Sequence, residues 1–263
     1  MEMDEHTFAI WASTILLFGT VIALRLITVL PGISRNPLLL STHKHKAPEK
    51  ESIAKEENEK TTKTNPVNKQ HKPIKLLVLL GSGGHTGEMI RILKQFHRLS
   101  TFKRHYIISS GDSTSIENIT KFEALKSNKE KEKAESTSYS KAIKYTKLPR
   151  ARNIGEGKLL ATFHTIYSFA ITVLTFCTLS RGEYPDLFLC NGPGTAIPVA
   201  YTLFAMKFLG LCKTKIVYVE SLARVQQLSL TGLLILPISD RVVVQWKPLA
   251  RRYRRCEYYG ILV

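Results

Sequence analysis

A glycine-rich run from Gly81 to Gly87 (GSGGHTG) is the part of this sequence best suited to chemistry. It follows an apolar, strand-like run and precedes a helix-like one. A glycine turn in this position directs backbone N–H groups and the positive end of the helix dipole at one point, which suits a phosphate or diphosphate. A tight turn without a ligand is the alternative. The polar side chains among the glycines favour the anion site.

The glycine run does not match the common nucleotide-binding motifs. It contains no Gly-Lys-Ser/Thr, so it is not a Walker A loop. A dinucleotide fingerprint has glycine at its sixth position, which from Gly81 is Thr86, and the acidic Asp112 comes late after the second predicted strand. The four cysteines are scattered without a Cys-x-x-Cys pair, and no histidines have metal-ligand spacing. We therefore predict no NAD, no other cofactor and no metal.

Two further clusters follow later predicted strands. Asn191 and Gly192 lie in a Pro/Gly turn (NGPGT), where the asparagine amide is suited to bind a sugar or phosphate and a rigid turn is an equal alternative. Glu220 and Arg224 follow the next predicted strand, one helical turn apart. An internal ion pair explains that spacing, and so does a cleft that binds sugar hydroxyls and diphosphate.

Short β-branched runs alternate with helical stretches through residues 74–263. Several runs are almost continuously apolar, as expected of strands buried on both faces. The alternation predicts an α/β fold with a Rossmann-like, doubly wound parallel sheet, whose ligands bind at the carboxyl ends of the strands. The predicted strands are Lys75–Leu80, His105–Ser109, Ile143–Leu148, Asp186–Cys190, Lys215–Glu220, Arg241–Gln245 and Tyr258–Leu262.

The segment from Phe8 to Leu30 is long and apolar enough to span a hydrocarbon core of about 30 Å. It follows an acidic start and lacks a clear cleavage site, which indicates an uncleaved anchor after a short lumenal tail at 1–7. Arg25 is expected to reach the membrane interface. Basic residues follow the span, so the positive-inside rule predicts a cytosolic body.

The remaining segments complete the predicted organisation. Residues 31–73 are polar and basic and indicate a flexible linker. The body at 74–263 is interrupted by a polar surface loop at 126–140. Leu159 to Leu179 is apolar enough for a second span, but spanning would separate the glycine run from the Asn191 turn. We interpret it as a core helix with one face near lipid, and a second span is the alternative.

The formal net charge of +17 is large and lies partly in the linker and partly in a C-terminal cluster. Such a charge suits anionic lipid headgroups, and it also suits nucleic acid. The anchor favours the membrane, and the sequence contains no helix-turn-helix, zinc-finger or RNP pattern. We therefore expect no nucleic-acid partner.

Several co-linear motifs resemble the membrane-anchor subunit of the eukaryotic UDP-N-acetylglucosamine transferase, which extends dolichyl-diphosphate-GlcNAc in N-glycan assembly. The similarity covers nearly all of residues 74–263 and the N-terminal anchor. The motifs are Gly81–Met89 (GSGGHTGEM), Pro185–Thr195 (PDLFLCNGPGT), Tyr218–Leu230 (YVESLARVQQLSL), Val244–Trp246 (VQW) and Tyr259–Val263 (YGILV).

The resemblance implies the N-terminal, acceptor-binding half of a GT-B glycosyltransferase, held at the endoplasmic reticulum as a single-pass protein. A soluble, donor-binding catalytic subunit would supply the other half, and the chain ends where that second domain would begin. A stand-alone nucleotide-binding membrane enzyme and a tether without substrate contact remain the alternatives. The residues then expected to bind the acceptor diphosphate are Ser82, Gly83, Gly84, His85 and Thr86. Those expected to line the sugar cleft are Asn191, Gly192, Glu220 and Arg224.

His85 has two expected roles within this scheme. Imidazole titrates near neutrality, so His85 is the candidate base for the 4-hydroxyl of the acceptor GlcNAc. A hydrogen bond that orients the glycine run is the other role.

Overall fold

In the computed structural model of the chain, seven parallel strands form one sheet in the order β3-β2-β1-β4-β5-β6-β7. This order places β1 and β4 side by side, with the chain wound outward from them in both directions. The Rossmann-like, doubly wound sheet predicted from the sequence is thereby confirmed. The strands are β1 Lys75–Leu80, β2 Lys103–Ser109, β3 Lys144–Leu148, β4 Leu187–Asn191, β5 Lys215–Val219, β6 Arg241–Val244 and β7 Cys256–Tyr258.

The structure describes residues 5–31, 73–96, 99–132, 143–151 and 155–263. Residues 1–4 of the expected lumenal tail and residues 32–72 of the expected linker lie outside these ranges. The helices are α1 Glu5–Val29, α2 Gly84–Lys94, α3 Ser113–Glu132, α4 Lys158–Cys177, α5 Ala196–Phe208, α6 Leu230–Ile235 and α7 Lys247–Arg252.

The hydrophobic core lies on both faces of the sheet because successive side chains of a strand point to opposite faces. On one face, Leu77 and Leu79 of β1 belong to a cluster with buried residues of α4 and α5. On the other face, Leu76 and Val78 belong to a cluster with buried residues of α2 and α3. Burial on both faces explains why the β1 sequence is continuously apolar.

Two predicted boundaries are wrong. The surface loop expected at 126–140 begins too early, because Lys126 to Glu132 continue helix α3; residues 133–140 lie outside the described ranges. The last strand is Cys256–Tyr258, paired with β6, rather than Tyr258–Leu262. Leu262 instead accepts a hydrogen bond from Gln95 through its carbonyl, and its N–H donates to Gln245.

Helix α1 is apolar and exposed over most of its described surface, with Leu16 73% exposed. Arg25, which is expected at the membrane interface, contacts the body of the protein. Its guanidinium donates to the carbonyl oxygens of Phe208 at 2.7 Å and Lys207 at 3.1 Å. These carbonyls lie in the last turn of helix α5, where few intrahelical donors remain, and the Lys207 carbonyl also accepts from the Gly210 N–H at 3.1 Å. Arg25 therefore joins α1 to the body of the protein.

Helix α4 packs on the sheet through one side only. Ser168, Thr172 and Phe176 are buried, whereas Phe163 is 70% and Leu174 62% exposed. Among the described residues, Leu159–Cys177 is the one stretch long and apolar enough by composition to cross a membrane, and 22% of it is buried. Helix α4 connects two strands of the same parallel sheet and packs against α5. Its relation to a bilayer stays a prediction.

Candidate functional site

The glycine run forms an open helix N-terminus at the carboxyl end of β1. Gly83 adopts φ +60° at the N-cap of α2, a conformation that favours glycine, and no side chain caps the helix. Ser82, Gly83 and Gly84 are exposed. The first N–H groups of a helix have no intrahelical acceptor, so this turn is suited to bind an anion. The geometry of the predicted site is present at these three residues.

Thr86 points inward instead of toward this opening. It is 1% exposed, and its hydroxyl contacts the carbonyl of Gly81 and lies 2.6 Å from Ser115 Oγ. Ser115 in turn donates to Asp112 at 2.6 Å. The side chain of Thr86 therefore stabilises the glycine run from the protein interior, so a contact between Thr86 and the diphosphate could come only from its backbone N–H.

His85 lies at the rim of the opening, with its side chain 35% exposed. Its ring packs against the backbone of Gly192, in the turn after β4. A Cβ added at Gly192 would lie 2.2 Å from His85 Cε1, and Gly192 has φ +48°. Glycine is therefore required at position 192 to leave room for the imidazole, rather than to contact a sugar as predicted. The two glycine turns after β1 and β4 meet at this ring.

Glu88 is the central polar residue of the site, and the sequence analysis assigned it no role. Its Oε2 lies 3.3 Å from His85 Nδ1 and accepts from Asn191 Nδ2 at 3.3 Å. Its Oε1 accepts from Ser221 Oγ at 2.9 Å and from the N–H of Leu222 at 3.2 Å. The sequence feature that could have identified Glu88 was its position three residues after His85, which places both side chains on the same face of a helix.

The Glu88 carboxyl group is held in its ionised form. Partial burial alone raises its pKa, but hydrogen bonds from His85, Ser221 and the Leu222 N–H outweigh burial and keep the pKa below its usual range. An ionised carboxylate only accepts hydrogen bonds, so each of its neighbours is a donor. The site thus contains a fixed negative charge beside the imidazole.

Asn191 is 1% exposed, which contradicts the prediction that its amide contacts a sugar directly. Its Nδ2 donates to the His85 carbonyl at 2.9 Å and to Glu88. The side chain thus connects β4 to the first turn of α2. Asn191 Oδ1 is buried and has no hydrogen-bond partner among the described residues.

Glu220 is fully buried, so the prediction that it lines the cleft is wrong. Its carboxylate accepts from the Ser229 N–H at 2.8 Å, the Ser229 hydroxyl at 3.0 Å and the Ser221 N–H at 3.0 Å. Burial and the neighbouring Glu220 carboxylate raise the pKa of Tyr218, whose hydroxyl donates to Glu220 at 3.3 Å. Glu220 therefore shapes the loop between β5 and α6.

Arg224 is exposed at the start of that loop, and no ion pair joins it to Glu220 within the described residues. The internal ion pair considered for these two residues is therefore wrong. Trp246 Nε1 donates to the Leu222 carbonyl at 2.7 Å, and Gln245 donates to the Glu220 carbonyl at 3.0 Å. Gln245 and Trp246, which directly follow β6, thus hold the loop after β5 in place, while the Arg224 guanidinium stays accessible to an anion.

The assembled site combines three chemical features at the carboxyl ends of β1, β4 and β5. They are an uncapped helix N-terminus, a partly exposed imidazole, and a partly buried carboxylate 3.3 Å from that imidazole. The described residues contain no group of three or more His, Cys, Asp or Glu arranged to hold a metal ion. This arrangement is suited to bind a phosphorylated substrate and to move a proton next to it.

Comparison with known proteins finds a family and several relatives whose descriptions agree with one another. The family model "Oligosaccharide biosynthesis protein Alg14 like" matches residues 76–262. The chain is 50% identical over 188 residues to the "UDP-N-acetylglucosamine transferase subunit ALG14" of Debaryomyces hansenii, covering 72% of this chain and 76% of that protein. It is 35% identical over 190 residues to the protein of the same description from Homo sapiens, covering 72% and 83%.

Among solved structures, the crystal structure of Acinetobacter baumannii MurG matches with a TM-score of 0.44 and 13% sequence identity. The match covers 72% of this chain and 46% of the MurG chain, so this chain spans about half the length of that protein.

Proposed function

The chain belongs to the Alg14 family, and on this premise we propose that it is the acceptor-binding subunit of a two-subunit UDP-N-acetylglucosamine transferase. A soluble catalytic subunit binds UDP-GlcNAc and docks on this chain. The pair transfers GlcNAc to dolichyl-diphosphate-GlcNAc, the second step of lipid-linked oligosaccharide synthesis in protein N-glycosylation. By itself the chain forms one half of the cleft, the N-terminal half of a GT-B glycosyltransferase, and is inactive.

The observation that carries the proposal is the open glycine run with His85 beside it. An uncapped, glycine-rich helix N-terminus suits phosphate groups, including those of a diphosphate. Ser82, Gly83 and Gly84 expose this N-terminus to solvent. The exposed guanidinium of Arg224 adds positive charge for the diphosphate. The acceptor sugar then lies next to the diphosphate, within reach of the imidazole.

His85 is the proposed base of the transfer. Its imidazole takes the proton of the acceptor 4-hydroxyl as that oxygen forms a bond to C1 of the donor GlcNAc. The bond from C1 to the UDP oxygen breaks at the same time, and UDP leaves with the electron pair. Binding of UDP belongs to the partner subunit, so His85 acts only in the assembled complex.

The C-terminal residues form part of the proposed partner surface. Tyr259 and Ile261 are 53% and 55% exposed, while Leu262 and Val263 pack against the core near α2. Exposed apolar side chains on a docked segment are typical of a surface that a partner covers. Because the last two residues also stabilise the body, truncating the tail costs stability as well as assembly.

The proposed location is the cytosolic face of the endoplasmic reticulum membrane. Helix α1 is apolar and exposed, as expected for a helix surrounded by lipid, and Arg25 joins it to α5. The exposed apolar side of α4 offers a second contact with the bilayer, supported by the basic run Arg251 to Arg255. A body held against the bilayer reaches the diphosphate and sugar of an acceptor whose dolichyl chain stays in the bilayer.

Replacing Gly83 by Val tests the proposal in the assembled complex. Valine at φ +60° distorts the turn where diphosphate binds. GlcNAc transfer to a dolichyl-diphosphate-GlcNAc analogue is expected to fall about 10²-fold, the cost of misplacing a bound group by about 1 Å. Gly87→Ala is the matched control, because a Cβ at this helical position meets nothing within 4 Å.

Three results decide between the functions considered for this chain. Reduced transfer with normal co-purification of the partner supports the acceptor subunit. Full transfer by the Gly83→Val complex supports a tether without substrate contact. Transfer by this chain without its partner supports a stand-alone enzyme, and either of the last two results contradicts the proposal.

A further inference from the structure

We propose that Glu88 is a positioning residue for this transfer, which fixes the tautomer and orientation of His85 and joins the glycine run to the loop after β5. This inference rests on the proposed function and deepens its site. It assigns a role to a carboxylate that contacts the base rather than the substrate.

Glu88 occupies a position where three parts of the fold converge. It lies on α2, receives hydrogen bonds from Ser221 and Leu222 after β5, and receives another from Asn191 at the end of β4. Its side chain is 15% exposed, so these bonds are largely shielded from water. Both carboxylate oxygens are occupied, and one of them faces His85 Nδ1 at 3.3 Å. A carboxylate held by so many donors has a fixed orientation.

The hydrogen bonds determine which imidazole nitrogen carries the proton. Because the lowered pKa keeps Glu88 ionised, the group facing it must donate, and Nδ1 of His85 is therefore protonated. The neutral ring then has its lone pair on Nε2. That nitrogen is the one left to accept a proton from a bound hydroxyl.

The ring has little room to take another orientation. Its ring packs against Gly192, where an added Cβ would approach Cε1 to 2.2 Å, Nδ1 to 2.4 Å and Nε2 to 2.7 Å. Glu88 contacts the Nδ1 side, and Asn191 holds the backbone carbonyl of His85 at 2.9 Å. One-third of the side chain remains exposed. The imidazole is thus confined by the protein while still open to a substrate.

The carboxylate also assists the proton transfer itself. When Nε2 takes the proton of the acceptor hydroxyl, the ring becomes an imidazolium and its positive charge lies next to the Glu88 anion. The proton moves from hydroxyl to Nε2, the hydroxyl oxygen bonds to C1 of the donor, and UDP leaves with the electrons of the broken bond. Glu88 stays ionised throughout and gives up no proton.

Glu88→Gln in the full chain, assembled with the partner subunit, tests the inference. Glutamine keeps the shape and still accepts from Ser221 and Leu222, but it removes the charge and presents an amide to His85. We expect kcat to fall by at least about tenfold. The upper bound is the loss of about 10²- to 10⁴-fold expected when the base itself is removed. The KM for the acceptor stays within about twofold. Glu117→Gln is the control, because Glu117 is exposed on α3 and, within the part of the chain that the structure describes, forms its ion pair with Lys121.

A double-mutant cycle separates positioning from a purely structural role. If Glu88 acts through His85, Glu88→Gln costs little further activity in a chain that already carries His85→Ala. An equal loss in both backgrounds, or full activity of Glu88→Gln alone, overturns the inference. A wild-type complex that transfers no GlcNAc is a failure of the proposed function instead.

The tautomer of His85 is measured independently of activity and without any risk of misfolding. In the ¹⁵N-labelled full chain in detergent micelles, the imidazole resonances of His85 are assigned by their loss in His85→Ala. The neutral ring is expected to carry its proton on Nδ1 in the wild type. A proton on Nε2 in the wild type overturns the inference, whatever the activity of the variants.

Discussion

At the scale of single residues, the site separates side chains that face the opening from those that hold it in shape. Ser82 and His85 are accessible, whereas Thr86, Asn191 and Glu220 are buried and bind other parts of the protein. All five were predicted to contact substrate, because polar residues in turns after strands give the same sequence signal in both cases. Burial distinguishes them, and burial depends on the packing of distant segments.

His85→Ala is expected to lower turnover of the assembled complex by about 10²- to 10⁴-fold, the usual contribution of a general base. Acceptor affinity is expected to change little, because in the proposed site the glycine run, rather than the imidazole, binds the diphosphate. The measurement is kcat and KM for the acceptor. His105→Ala is the control, since His105 lies near the amino end of β2 and contacts Thr146. An His85→Ala complex with normal kcat would contradict the role of base.

Gly192→Ala is expected to reproduce the loss predicted for His85→Ala without removing a catalytic group. The added Cβ overlaps the imidazole at 2.2 Å, and φ +48° disfavours a side chain in any case. Gly194→Ala is the matched control in the same turn, because a Cβ there meets nothing within 4 Å. Turnover of the two complexes is compared at equal partner occupancy. Equal activity would show that the ring position does not depend on Gly192.

At the scale of secondary structure, the strands of the parallel sheet could be predicted closely from the sequence. The end of helix α3 and the tail after β7 could not. Strand β1 was predicted with its correct bounds because burial on both faces leaves a continuous apolar run. Helix α3 extends to Glu132 through a charged stretch with no apolar period, so the sequence resembled a loop there. The tail after β7 is apolar, with Leu262 and Val263 packed on the body, and for this reason it resembled a strand.

Arg25→Met tests the joint between α1 and α5. The substitution keeps an apolar stem but removes the bonds to the carbonyls of Lys207 and Phe208. The loss is expected to be about 1 kcal/mol, since the contact is exposed. That corresponds to a Tm lower by about 2–4 °C for a protein of this size, measured on the full chain in detergent.

Thr20→Ala is the control for this substitution, because the Thr20 hydroxyl donates to the Leu16 carbonyl within α1 itself. An unchanged Tm for Arg25→Met would mean that α1 is not held by α5.

At the scale of the whole molecule, one sheet places the glycine run, the Asn191 turn and the loop after β5 at the same edge. This convergence could be predicted from strand–helix alternation alone, because carboxyl ends of parallel strands share an edge. Which polar groups meet there could not, since Glu88 and Ser221 are 133 positions apart in the chain. The apolar α1 and the exposed side of α4 belong to the same unit.

The central claim, that this chain binds the acceptor and its partner binds the donor, is tested most directly by equilibrium binding to the purified chain without partner. The ligands are a water-soluble, short-chain analogue of dolichyl-diphosphate-GlcNAc and UDP-GlcNAc, and Gly83→Val is compared with the wild type. We predict that the wild type binds the acceptor analogue, that Gly83→Val binds it about 10²-fold more weakly, and that neither binds UDP-GlcNAc. Tight binding of UDP-GlcNAc, or acceptor binding that Gly83→Val leaves unchanged, would contradict the account.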